Sequence, residues 1–164
     1  MAESSLIPDE AKAFIGKETI THIGEVSAMT IKRYASTVGD LNPLYLDEEY
    51  ARKSKYGSLV APPNYLGAVV NWGVAPEQEL MPDGLPVRPE RAALKVKRGM
   101  GGGQELRFLK PVRAGDSFTV KRKVVDMYEK QGKQGPVVFV IADITFTNQH
   151  GEDALIIRDT AIVH

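Results

Sequence analysis

Cysteine is absent from the 164 residues, histidine occurs three times and tryptophan once. Without thiols the chain has no disulfide, no thiolate nucleophile and no thiolate metal site. The three histidines, His22, His150 and His164, are scattered, so no close imidazole spacing points to a metal. An excess of either charge is also lacking. With 21 basic and 21 acidic side chains the net charge is zero, which leaves no overall field to draw the chain to nucleic acid or an anionic membrane. No apolar run approaches the roughly 18 residues of a membrane span, and the opening MAESSLIPDEAKAF lacks a basic-then-apolar signal pattern. The expectation is a cytoplasmic protein of one domain over residues 1–164, long enough to bury roughly 70% of its unfolded surface.

What is present is periodic. Ile31, Tyr34, Ala35 and Val38 recur at helical spacing, with Thr30 as the expected N-cap and Gly39 as the stop. A second short helix is expected from Asp47, because DEEYARKS puts acids in the first turn and bases in the last. A third opens at Pro62 and Pro63 and continues NYLGAVVNWGVA, apolar on nearly every side, as a helix wrapped by other structure would be. After the Pro-rich segment 76–89, strands are expected at about Arg91–Lys97, Gln104–Pro111, Ser117–Tyr128, Val137–Thr147 and Ala154–Val163. The Gly-rich polar connections KQGKQGP and NQHGED make neighbours antiparallel hairpins. Helices first, then an antiparallel sheet of five strands around one buried helix, is an α+β architecture.

Three segments carry a resemblance: YASTVGDLNPLYLD at 34–47, LVAPP at 59–63 and GQELRFLKPVRAGD at 103–116. Alone, GDxNP is a common turn, since Gly ends helices and Asp, Asn and Pro each favour turn geometry. The three in this order and spacing resemble the MaoC-like dehydratases and (R)-specific enoyl-CoA hydratases. The resemblance implies a hotdog fold, in which an antiparallel sheet wraps a long helix and a short helical overhang carries the active-site loop. It also implies reversible addition of water to a 2-enoyl thioester, giving an (R)-3-hydroxyacyl thioester carried on coenzyme A or acyl carrier protein, with no further cofactor.

Carried over residue by residue, the resemblance makes Asp40 the carboxylate that handles the water, with Asn42 holding the loop. It places Tyr45 where the family has a histidine, and a phenol with a pKa near 10 takes up no proton at neutral pH. The glycine N–H that receives negative charge on the thioester oxygen aligns with Pro63, or with Pro62 after a one-residue shift, and proline has no N–H. Losing acid–base help costs about 10²–10⁴ in rate and losing an oxyanion donor about 10²–10³. The text GDLNPLYLDEEYARKSKYG followed by VAPP is most similar to sister chains of two-chain hydratases and to N-terminal halves of fused ones, which lack the histidine and shape the acyl pocket. A second MaoC-like chain is therefore the expected partner. Two other readings stay open: a homodimeric hydratase using Asp40, and a thioester-binding module without turnover.

Several residues have structural readings beside these. Asp40 serves equally as a turn cap, Asp47 as a helix N-cap, and Tyr45 as an amphipathic core filler. Gly101 and Gly102, within Met100–Gly103, either let a backbone approach a pantetheine arm or form a bulge between strands. The basic run Arg88, Arg91, Lys95, Lys97 and Arg98 reads as a charged strand edge or as a contact for coenzyme A phosphates.

Overall fold

The computed structural model describes residues 5–69 and 87–164. In chain order the elements are α1 (Asp9–Lys12), β1 (Glu18–Glu25), α2 (Ala28–Val38), α3 (Pro43–Leu46), α4 (Glu48–Lys53), α5 (Tyr65–Val69), α6 (Pro89–Ala92), β2 (Gly99–Phe108), β3 (Ser117–Gly132), β4 (Gly135–Asn148) and β5 (Asp153–Val163). The five strands form one antiparallel sheet in the order β1-β3-β4-β5-β2.

Two expectations about the sheet need correction. Arg91–Lys97 is not a strand: Pro89 starts the single turn α6, and Leu94 after it is buried against Ile7 and Ala11. The fifth strand is instead β1, which precedes α2, so the helices do not all come first. Its sequence ETITHIGE is polar and exposed along the sheet edge, which hid the alternation that betrays a half-buried strand. The β3–β4 hairpin is also tighter than the Gly-rich text implied. Pairing runs out to Gly132 and Gly135, leaving only Lys133 and Gln134 in the turn.

The helical boundaries follow local chemistry. Ser27, three residues before the expected Thr30, is the N-cap of α2 and accepts from Thr30 N–H at 3.1 Å. Gly39 closes that helix at φ 74°, a left-handed conformation that glycine adopts without a Cβ penalty. Asp47 caps α4 as expected, accepting from Tyr50 N–H at 3.0 Å. Of the apolar helix after Pro63, α5 covers Tyr65–Val69; Val70, Gly73 and Val74 lie outside the described residues.

The concave face of the sheet carries two apolar clusters. One joins Phe118, Val120, Phe146, Leu155 and Ile157 to Ile31, Leu59, Tyr65 and Leu66 of the helical side. The other joins Val124, Met127, Val138, Val140, Ala161 and Val163 to Ile7, Ala11 and Leu94. Between them, at the positions where alternation would continue the apolar rows, β3 carries Arg122 and β5 carries Asp159. Arg122 meets Glu90 of α6 at 2.6 Å, with only 13% and 4% of the two side chains exposed. A charge pair this far from water stands because each partner satisfies the other.

Replacing Arg122 by Met is therefore expected to lower the unfolding free energy by about 3–5 kcal/mol, since buried Glu90 loses the guanidinium that hydrogen-bonds it, whereas Arg122→Met with Glu90→Leu should recover most of the loss. Urea midpoints of the single and double variants would decide this; equal losses in both would show that packing, not pairing, sets the cost.

Candidate active site

The three segments that carry the family resemblance lie far apart in sequence and meet in space. Leu59–Ala61 runs antiparallel to Val112–Ala114: Ala61 N–H donates to the Val112 carbonyl at 2.8 Å, Ala114 N–H donates to Leu59 at 3.0 Å, and Val60 bridges Arg113. Val60 N–H donates to the Leu44 carbonyl at 3.1 Å, which fastens α3 to the same place. The PVRAGD turn holds its shape through Asp116, which accepts from Arg113 N–H at 2.8 Å, and through Gly115 at φ 93°. Thr30 of α2 and the buried hydroxyl of Tyr65 are 2.7 Å apart, and Tyr34 packs edge-on against the Tyr65 ring at 5.5 Å.

These contacts border an open cavity of about 470 Å³. Its walls are Leu44 and Tyr45 from α3, Lys55 and Tyr56 after α4, the stretch Val60–Leu66, the stretch Phe108–Val112, and Ala154 and Leu155 of β5. Its lining mixes apolar and aromatic side chains with two lysines.

Of the residues expected at the site, Tyr45, Pro62 and Pro63 line the cavity together. The Tyr45 hydroxyl has no hydrogen-bond partner among the described residues, so it is open to a molecule in the cavity. Burial pushes its pKa above the ordinary phenol value, and the Asp40 carboxylate and then the Tyr56 hydroxyl push it further. It stays a neutral hydrogen-bonding group at neutral pH. Asp40 is thus near enough to act on Tyr45 through its field, although the carboxylate is exposed and accepts from Asn42 N–H at 3.3 Å in a local turn. Asn42 caps α3, its side-chain oxygen accepting from Leu44 N–H at 3.0 Å. Both residues hold the loop, the structural role weighed for Asp40 from sequence.

Gly101 and Gly102 fall elsewhere. They form the bulge where β2 slips register against β5 between Gly101 and Gly103, about 20 Å along the strand from Phe108 at the cavity. A Cβ on Gly102 would come within 3.0 Å of the Thr160 carbonyl, so glycine there serves close strand approach. The basic run divides: Arg88, at the N-cap of α6, and Arg91 within it are half-buried, whereas Lys95, Lys97 and Arg98 are exposed ahead of the edge strand β2.

Sequence reasoning missed Lys55, Tyr56, Asn64 and Lys110. Lys110 pairs with Glu152 at 3.0 Å, and the Lys55 ammonium lies 5.1 Å from the centroid of the Tyr56 ring. Asn64 carries the first backbone N–H after the two prolines, and no carbonyl of the described residues accepts it. Its φ of 63° is the only positive value at a non-glycine residue among the described ones. Asparagine tolerates that conformation better than most residues, and an Asn directly after Pro-Pro was the available signal.

A five-stranded antiparallel sheet against a helical side is the hotdog fold of the MaoC-like dehydratases. The model of the FAS1-like dehydratase domain region matches residues 13–156, and the chain belongs to that family. A UPF0336 protein of Streptomyces avermitilis is 32% identical over 110 residues, which make up 66% of this chain and 67% of that protein. The crystal structure of the MaoC-like dehydratase from Rhodospirillum rubrum is 27% identical, covers 91% of each chain and superposes with a TM-score of 0.64. A chain of the ChsH1–ChsH2 complex from Mycobacterium tuberculosis shares the fold at a TM-score of 0.75, with 18% identity over 95% of this chain and 94% of that one.

The raised pKa of Tyr45 carries a sign. Its stability contribution is intact below the phenol's unfolded value of about 10 and is lost as pH rises through the higher folded value. Urea midpoints should thus fall more steeply above pH of about 10 for the wild type than for Tyr45→Phe; parallel curves would mean that the hydroxyl lies in an ordinary solvated environment.

Proposed function

We propose that this chain is one subunit of an acyl-thioester hydratase or dehydratase that interconverts 2-enoyl and (R)-3-hydroxyacyl thioesters in the cytoplasm. A second MaoC-like chain supplies the catalytic carboxylate and imidazole, and this chain supplies fold, interface and part of the acyl pocket. The observation that carries the reading is the convergence of all three family segments on a cavity whose would-be imidazole is a neutral phenol and whose would-be donors are prolines.

The chemistry follows from what is kept and what is exchanged. Water addition needs a base to remove a proton from water, an acid to protonate C2, and a donor at the thioester oxygen. Tyr45, its ionisation pushed further from neutrality, orients by hydrogen bonding and does not cycle protons. The apolar wall from Leu66, Phe108, Leu109 and Leu155 fits an acyl chain, and Lys55 and Lys110 suit the phosphate of a coenzyme A or acyl-carrier arm. Phe108 and Leu109, 56% and 44% exposed, stand where the free edge of β2 reaches the cavity, a place for the partner chain to cover.

A second reading has its own support. Asn64 N–H is a backbone donor displaced by one residue from Pro63, and with Asp40 and Tyr45 it would let a homodimer work unaided.

The test is hydration of crotonyl-CoA and a longer enoyl-CoA, followed by loss of the conjugated-thioester absorbance. The pure chain is compared with its mixture with a family chain that carries an intact GDxNPxHxD. Turnover in the mixture should exceed that of this chain by about 100-fold or more, and should also exceed that of the added chain alone. Turnover by the pure chain that Asp40→Asn abolishes would establish the homodimer instead. Thioester binding with no gain in turnover on mixing would make the protein a binding module and sink both.

A further inference from the structure

Among the described residues, the polar belt between the two cores contains more positive charge than it neutralises. Arg88, Arg91 and Arg122 face two carboxylates, those of Glu90 and Asp159. Glu90 is taken by Arg122 at 2.6 Å. Asp159 accepts from Gln104 Nε2 at 3.0 Å and has only a loose approach, 3.8 Å, from Arg91 Nη2. Two donor sets are left over. Arg91 Nε is buried without a hydrogen-bond partner, and the half-buried Arg88 guanidinium has neither hydrogen bond nor ion pair among the described residues. Arg88 and Arg91 are one helical turn apart on α6, joined by the Arg91 N–H to Arg88 carbonyl bond of 2.9 Å.

We propose that Arg88 and Arg91 form a binding site for a carboxylate monoanion, seated in this belt and separate from the cavity. Asp159 lies four residues beyond Leu155 on β5, about 13 Å from the cavity wall. The uncompensated Arg88 guanidinium and that of Arg91, a third exposed with its carboxylate partner 3.8 Å away, each gain from an added oxyanion. Charge selects the ligand: one positive charge is in excess, so a carboxylate balances it, a neutral amide does not, and dianionic phosphate overshoots. Geometry agrees, because the planar fork of arginine matches the two oxygens of a carboxylate. Burial, and then the neighbouring Arg122, already disfavour the charge on Arg88, which an anion would restore. The proposal does not depend on the function assigned to the cavity.

The experiment is thermal unfolding of the full chain in sodium acetate or propionate against sodium chloride at constant ionic strength, for wild type, Arg88→Gln and Arg88→Lys. Because Arg88 has no partner to lose, Arg88→Gln should unfold no lower than wild type in chloride. Acetate and propionate should raise the wild-type midpoint in a saturable way, the rise should vanish in Arg88→Gln, and half-saturation in Arg88→Lys should be about tenfold weaker. Equal rises in wild type and Arg88→Gln would reduce the effect to general salt stabilisation and overturn the site. Phosphate acting as well as acetate would overturn the carboxylate assignment.

Discussion

The short antiparallel contact between Leu59–Ala61 and Val112–Ala114 is the constraint on which the cavity depends. It is made of backbone hydrogen bonds, so it tolerates many side chains, yet it forces three distant parts of the chain into one place. The strand Leu59–Ala61 delivers Pro62 and Pro63, its partner follows the end of β2 at Phe108, and the bond from Val60 N–H to Leu44 pulls in the overhang with Tyr45. Remove that pairing and the same residues lie on separate elements with no common cavity.

Around that joint the molecule separates two kinds of interior. On the cavity side, apolar residues of β3, β4 and β5 pack on α2 and α5, with the Thr30 to Tyr65 hydroxyl contact as a polar tie. Across the middle of the sheet the apolar rows are interrupted by Arg122 and Asp159, with Glu90 and Gln104 completing their hydrogen bonds. Such pairs add little net stability compared with apolar residues of the same size, while breaking one is costly. The belt therefore acts on register: a strand displaced by two residues would keep its buried face but place one of these charges against an apolar core.

Gly39, Asp40, Asn42 and Pro43 retain local jobs, closing α2 and opening α3, that need no substrate. Tyr45 offers a hydroxyl to the cavity, but its environment drives the ionisation away from neutrality. Asn64, the residue after Pro-Pro, combines a positive φ with a backbone N–H that no carbonyl of the described residues accepts.

The sequence by itself determined the α+β class, the β3–β4–β5 meander, the caps at Gly39 and Asp47 and the family, because each rests on local signals: alternation, turn residues and short motifs in order. Tertiary structure decided the rest. The edge strand β1 has too few buried positions to alternate, so only its pairing with β3 reveals it. The bulge that carries Gly101 and Gly102 away from the cavity depends on register with β5. Arg88 and Arg91 read as surface charge until α6 folds them against Arg122 and Asp159. Burial and the sum of neighbouring charges belong to three dimensions, and these alone separate a solvated arginine from an unpaired one.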